Sequence, residues 1–199
     1  MTRFWLLRHG EPAAEARQRC YGSLDVGLSD AGRRQMARVA GHLRHQPIAV
    51  IYSSPRSRAI ESARILAGES GRPIEIVPAF REIDFGEFEG LTYDEIAARH
   101  PETYRRWMEA PTEVRFPGGE CFRDMRARVL DAFAAIRRRR EGETIAIVSH
   151  GGVNRILLAW ALEMPDRCLF RLAQDHAAAN LLELVEGAPM VRAMNLAVL

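Results

Sequence analysis

Two histidines occupy matching places in this chain, each closing an apolar run and each followed by glycine: Leu6-Leu7-Arg8-His9-Gly10 and Ile147-Val148-Ser149-His150-Gly151-Gly152. A neutral imidazole hydrogen-bonded through one ring nitrogen can attack phosphorus with the other, which is nucleophilic catalysis without a metal. A third segment, Tyr52-Ser53-Ser54-Pro55, leads into a stretch that carries Arg56 and Arg58. Arg offers planar, bidentate donors to phosphate oxygens, and glycine beside each His lets backbone come close to an anion. Phosphoryl transfer also requires a proton for the departing alkoxide. Carboxylates able to supply one crowd into Arg81-Glu82-Ile83-Asp84-Phe85-Gly86-Glu87-Phe88-Glu89-Gly90.

These groups meet only if the chain carries them to one edge. Residues 3–8, 49–52, 73–77, 144–149, 181–185 and 191–198 read as strands. Ser29 is a plausible N-cap for a helix reaching about His45, with Met36, Val39, Ala40 and Leu43 at helical spacing. Ser54 and Pro55 read as cap and first turn of a second helix, whose apolar face is Ala59, Ile60, Ala63 and Leu66. Helices are also expected at about 120–140, closed by Gly142, and at 152–162. From about 85 to 119 the pattern changes to a lid-like insertion with short helices at 93–99 and 102–109, punctuated by Pro101, Pro111 and Pro117. Alternating strands and helices predict a single α/β domain over 1–199, a three-layer αβα sandwich with a mostly parallel sheet. Ligands bind beyond the carboxyl ends of such strands, where His9, His150 and the arginines would converge.

Composition removes several classes. All 28 basic residues are Arg and Lys is absent, so no Walker A lysine, no Schiff-base lysine and no kinase strand lysine can operate. A net charge of +2 gives no broad cationic field, so no nucleic-acid partner is expected. Arg137 to Arg140 read as a cationic last turn that complements a helix dipole. Cys20, Cys121 and Cys168 are odd in number and widely spaced, which argues against a disulfide framework and a zinc site. A cysteine-phosphatase nucleophile needs Arg six positions on, where Val26, Ala127 and Gln174 stand. No run approaches the roughly 20 apolar residues of a membrane span, and Met1 to Leu7 is short for a signal peptide. The expectation is therefore a cytoplasmic protein without a membrane partner.

Taken together, Arg8-His9-Gly10, then Tyr21-Gly22 with Asp25, Leu28, Ser29 and Gly32, then Ser54-Pro55-x-x-Arg58-Ala59, then Glu82-Ile83-Asp84-x-Gly86-x-x-Glu89-Gly90, and finally Ser149-His150-Gly151-Gly152 resemble the histidine phosphatase superfamily, the phosphoglycerate-mutase-like proteins. The resemblance implies that His9 becomes phosphohistidine, that Arg8, Arg58 and His150 form the phosphate pocket, and that Glu82 donates the proton, with Glu87 its one rival. It also implies no metal and no organic cofactor. Glu-Ile-Asp-x-Gly followed by Glu-Gly-Leu-Thr-Tyr is similar to the small-phosphatase branch that includes alpha-ribazole phosphatase and fructose-2,6-bisphosphatase. The mutases' Glu-Arg-His-Tyr-Gly segment is absent, which favours hydrolysis of a small phosphomonoester, with alpha-ribazole 5′-phosphate a candidate. A cofactor-dependent phosphoglycerate mutase, a broad-specificity phosphatase and a non-catalytic phosphate-binding regulator are the alternatives. One departure stands out: Pro12 and Glu15 replace the Thr and Asn that many members carry, so the first loop is expected to follow its own path with Glu15 turned away. His176, just before a closing strand, could border the site but is assigned no role in it; His42, His45 and His100 are read as solvated or packing residues. Tyr93, Tyr104, Trp107 and Met108 either line the lid or pack it against the core. An exposed edge strand or the lid could pair two copies as a homodimer.

Overall fold

The computed structural model describes residues 1–68 and 71–198. Its strands are β1 (Thr2–Arg8), β2 (Ile48–Ser53), β3 (Ile74–Ile76), β4 (Thr144–Ser149), β5 (Ala179–Val185) and β6 (Ala188–Leu196). They form one sheet in the order β3-β2-β4-β1-β5-β6, parallel from β3 through β1 and antiparallel at β1–β5 and β5–β6. The central strands β1 and β4 are apolar on both faces, as a doubly covered parallel sheet requires.

The α-helices are α1 (Asp30–Leu43), α2 (Ser57–Ala67), α3 (Tyr93–Arg99), α4 (Pro101–Glu109), α5 (Phe122–Arg139) and α6 (Gly151–Ala161). Strand alternation divides the core between two faces. Phe4, Leu6, Val50, Tyr52, Ile145 and Ile147 pack with Val129 and Phe133 of α5 and Ile156 and Leu157 of α6. Trp5, Leu7, Ile51, Ala146 and Val148 pack with Met36, Val39 and Leu43 of α1 and Ala59, Ala63 and Leu66 of α2. The three-layer sandwich expected from the alternating pattern is the observed architecture.

Local rules predict some boundaries and miss others. Ser29 caps α1 as expected, its Oγ accepting from Gly32 N–H at 3.0 Å. Helix α2 does not begin on the Ser54–Pro55 pair. Ser54 Oγ is engaged with His150 instead, and Asp25, distant in sequence, accepts from the backbone N–H and hydroxyl of Ser57 at 2.8 and 2.7 Å. The long helix α5 likewise starts two residues late, because Glu120 is drawn to Arg81 and Arg128. The basic end of α5 complements more than a dipole: Arg139 and Arg140 hold Tyr52 and Glu75.

The 85–119 segment is folded onto the sheet. Thr92 and Glu95 form a capping box at α3, and Pro101 opens α4. Phe85, Phe88, Trp107 and Phe116 interlock with ring centroids 4.9–6.1 Å apart and join the core that contains Phe4. Glu89 ties the lid to the first loop, accepting from the N–H groups of Ser23, Phe85 and Leu24.

Candidate active site

Register alone brings the two histidines together. Arg8 pairs with Ser149 across β1–β4, and Val148 pairs with Ser53 across β4–β2, so His9, His150 and Ser54 leave three adjacent strands side by side. The ladders run one step further: His9 N–H donates to Ser149 O and Ser54 N–H to Val148 O, each at 3.0 Å. The rings of His9 and His150 end 5.2 Å apart.

His9 is 1% exposed, and its Nδ1 lies 2.7 Å from Gly10 O. A carbonyl only accepts, so Nδ1 carries the proton and Nε2 keeps its lone pair. Burial, then the charges of Arg58 and Arg8, hold the imidazole well below its ordinary pKa. His150 is buried alike and depressed for the same reasons. Ser54 Oγ accepts from Arg56 N–H at 3.3 Å and lies 2.7 Å from His150 Nε2. Its hydroxyl proton is therefore free to go to that nitrogen, which leaves His150 Nδ1–H as a donor.

The arginines are anchored by neutral oxygens. Arg58, fully buried, donates to the carbonyls of Leu24, Tyr21 and Gly22 at 2.9–3.0 Å, with its guanidinium 5.1 Å from the Tyr21 ring centroid. Burial lowers its pKa. Arg8 donates to Gln174 O at 2.6 Å and to His176 Nε2 at 2.9 Å. Arg8 Nε, Arg58 Nε and His150 Nδ1 are buried and bonded to no protein group. Three such donors beside the His9 ring describe an anion pocket, since buried donors otherwise find partners.

Glu82 reaches the same cavity. Its two oxygens accept from Ile83 N–H at 2.9 Å and from Gly152 N–H at 3.0 Å. A Cβ on Gly152 would come within 2.4 Å of Glu82 Oε1, so a side chain there would displace the carboxylate. Gly10 is set by packing: a Cβ would meet Gly32 O of α1 at 2.4 Å. Glu87 is exposed and faces His100 at 4.0 Å, outside the cavity, while Asp84 accepts from Gly86 N–H. Glu15 is exposed and does not line the cavity, in keeping with a first loop of its own course.

Sequence reasoning assigned His176 no role in the site. The structure sets its ring 5.6 Å from His9, with Nε2 accepting from Arg8 and 3.3 Å from the Tyr21 hydroxyl. Burial and Arg8 push its pKa down to about 4, so it stays an acceptor. No spacing rule links residue 176 to residue 8; only the antiparallel β5 beside β1 does. Tyr21 stood within the matched pattern without a role attached.

One cavity of about 450 Å³ joins Arg8, His9, Arg58, Glu82 and His150 to aromatic walls from the lid. A buried neutral imidazole among anchored guanidinium groups, with a carboxylate opposite, defines a phosphoryl-transfer type of site on an α/β sandwich. The chain belongs to the histidine phosphatase superfamily (branch 1), whose family model matches residues 4–197. It is similar to the bifunctional protein Rv2228c of Mycobacterium tuberculosis, 38% identical over 196 residues, which cover 98% of this chain and 54% of that one. The chain thus spans about half the length of that relative. Phosphoserine phosphatase 1 of Hydrogenobacter thermophilus is 29% identical over 198 residues, covering 98% of this chain and 93% of that protein. The solved structure of Bacillus stearothermophilus YhfR superposes with a TM-score of 0.91 at 33% identity, covering 96% of each chain.

Proposed function

We propose that this chain hydrolyses small phosphomonoesters in two in-line steps through a phosphohistidine on His9. What carries the reading is the set of three unpartnered buried donors beside an imidazole whose Nε2 is unprotonated. In the first step Nε2 forms a bond to phosphorus as the bond to the ester oxygen breaks, and Glu82 gives its proton to the leaving alkoxide. In the second, the Glu82 carboxylate takes a proton from water. The oxygen of that water attacks phosphorus, the P–N bond breaks, and both side chains return to their starting state. Arg8, Arg58 and His150 donate to the non-bridging oxygens as charge redistributes, with donors already in place. The aliphatic or aromatic alcohol leaves through the lid side of the cavity.

The test is phosphate release by EDTA-treated protein from O-phosphoserine, alpha-ribazole 5′-phosphate, fructose 2,6-bisphosphate and 3-phosphoglycerate, with His9→Ala alongside. Release from at least one ester, with an acid-labile, alkali-stable phosphoprotein absent from His9→Ala, is the expected result. Activity retained by His9→Ala would sink the nucleophile assignment. Phosphate moved between hydroxyls of 3-phosphoglycerate without release would make the chain a mutase instead.

A further inference from the structure

The cavity is cationic at its floor and aromatic at its mouth. Tyr93 stacks on Trp107 with centroids 5.6 Å apart and planes at 18°, and Phe116 meets Trp107 edge-on at 5.2 Å. Tyr93, Met108 and Phe170 are 46%, 50% and 57% exposed, and all three border this cavity. Large apolar side chains left exposed at one opening mark a ligand surface, whereas scattered ones need no explanation. Charge narrows the ligand further. Glu82, already committed to proton transfer, is the one carboxylate among the described residues that line the cavity. Arg155 of α6 lines it too, donating its Nε to Leu172 O at 2.8 Å rather than to a carboxylate, with its guanidinium 5.4 Å from the Phe170 ring centroid. An ammonium group on the leaving alcohol would find Glu82 the one carboxylate to receive it, whereas a carboxylate there would meet Arg19 or Arg155.

We infer that the site selects phosphomonoesters whose alcohol bears an apolar ring, seated against Tyr93, Trp107 and Phe170, over esters of small aliphatic alcohols. This names the substrate class of the site proposed above and rests on that reading.

Phosphonates test it apart from turnover, because their P–C bond is not hydrolysed. Calorimetry would compare 2-phenylethylphosphonate, ethylphosphonate and 2-amino-4-phosphonobutanoate on the intact chain. Burying one phenyl ring predicts about 30-fold tighter binding of the first than the second. The amino acid phosphonate, which carries no ring, is expected to bind less tightly than 2-phenylethylphosphonate. Phe170→Ser and Met108→Ser, both at the rim, should each shrink the phenylethyl-to-ethyl ratio. Equal affinities, failure of all three to bind, or tightest binding of the amino acid phosphonate would overturn the inference. Phosphate release from esters combined with equal phosphonate affinities would sink this inference alone. A strong ring preference in a protein that hydrolyses nothing would sink the hydrolase reading and leave the selectivity standing.

Discussion

His9 keeps the Nε2 lone pair because the protein disfavours the imidazolium: it is buried near the Arg58 and Arg8 guanidinium groups and holds its one proton against Gly10 O. Nitrogen-detected NMR should therefore show His9 as the neutral Nδ1–H tautomer at pH 6, where an ordinary histidine of pKa near 6.5 is mostly protonated. His9, His150 and His176 are all depressed, so below pH 6.5 the unfolded chain binds protons that the folded chain refuses. Stability is then full above pH 6.5 and falls as pH drops, for His176 until about pH 4, with each histidine contributing up to about 1.4 kcal/mol per pH unit. Urea midpoints at pH 7 and pH 5.5 would read that loss, and no change between them would contradict the buried neutral state. For Glu82→Gln, loss of the proton donor should slow the transfer of phosphate to His9, read by rapid mixing, by about 10²- to 10⁴-fold for alkyl esters and far less for nitrophenyl esters, whose oxygen leaves unaided. Equal losses for both would remove Glu82 from the proton-transfer role.

At the scale of elements, the site is an intersection of strand ends. The β1–β4 register sets His9 against His150, the start of α2 brings in Arg58, and the start of α6 holds Glu82 through Gly152. That last contact is narrow enough to test. Gly152→Ala would push a methyl to 2.4 Å from Glu82 Oε1 unless the carboxylate moves. The expected outcome is a fall in kcat of at least about tenfold with a much smaller loss of vanadate affinity, because Arg8 and Arg58 lie on β1 and α2 rather than on α6. Parallel loss of vanadate binding would mean that the substitution disturbs the whole strand end rather than the acid alone.

Across the whole molecule, the lid and the sheet share one apolar cluster, from Phe116 and Trp107 down to Phe4 and Phe133. Heating should consequently give one cooperative transition, with no early melting of the 85–119 segment. Inorganic phosphate should raise the midpoint, because binding gives Arg8 Nε, Arg58 Nε and His150 Nδ1 partners that the folded chain lacks; at 100 times its Kd the gain is about 2.7 kcal/mol. A lid that melts separately, or a midpoint indifferent to phosphate, would be seen directly by calorimetry. Among the described residues no helix is long and apolar enough to cross a membrane.

Much of this was legible in the amino-acid order. The apolar runs ending in His-Gly located β1 and β4, and helical spacing located α1, α5 and α6, because periodicity and capping are properties of neighbouring residues. All five named site residues line one cavity. What the chain order did not reveal is what reaches across it. Asp25 starts α2, Ser54 turns from cap to hydrogen-bond partner of His150, and His176, in the turn before β5, braces Arg8 from 168 residues away. Those contacts follow from sheet order and register, where antiparallel β5 lies against β1 although most of the chain separates them. Sequence alone determined which side chains could do chemistry and near which strand ends they stand. Tertiary structure decided which donors were left unpartnered and which apolar side chains were left at the mouth, because pairing and burial depend on neighbours brought close only by folding.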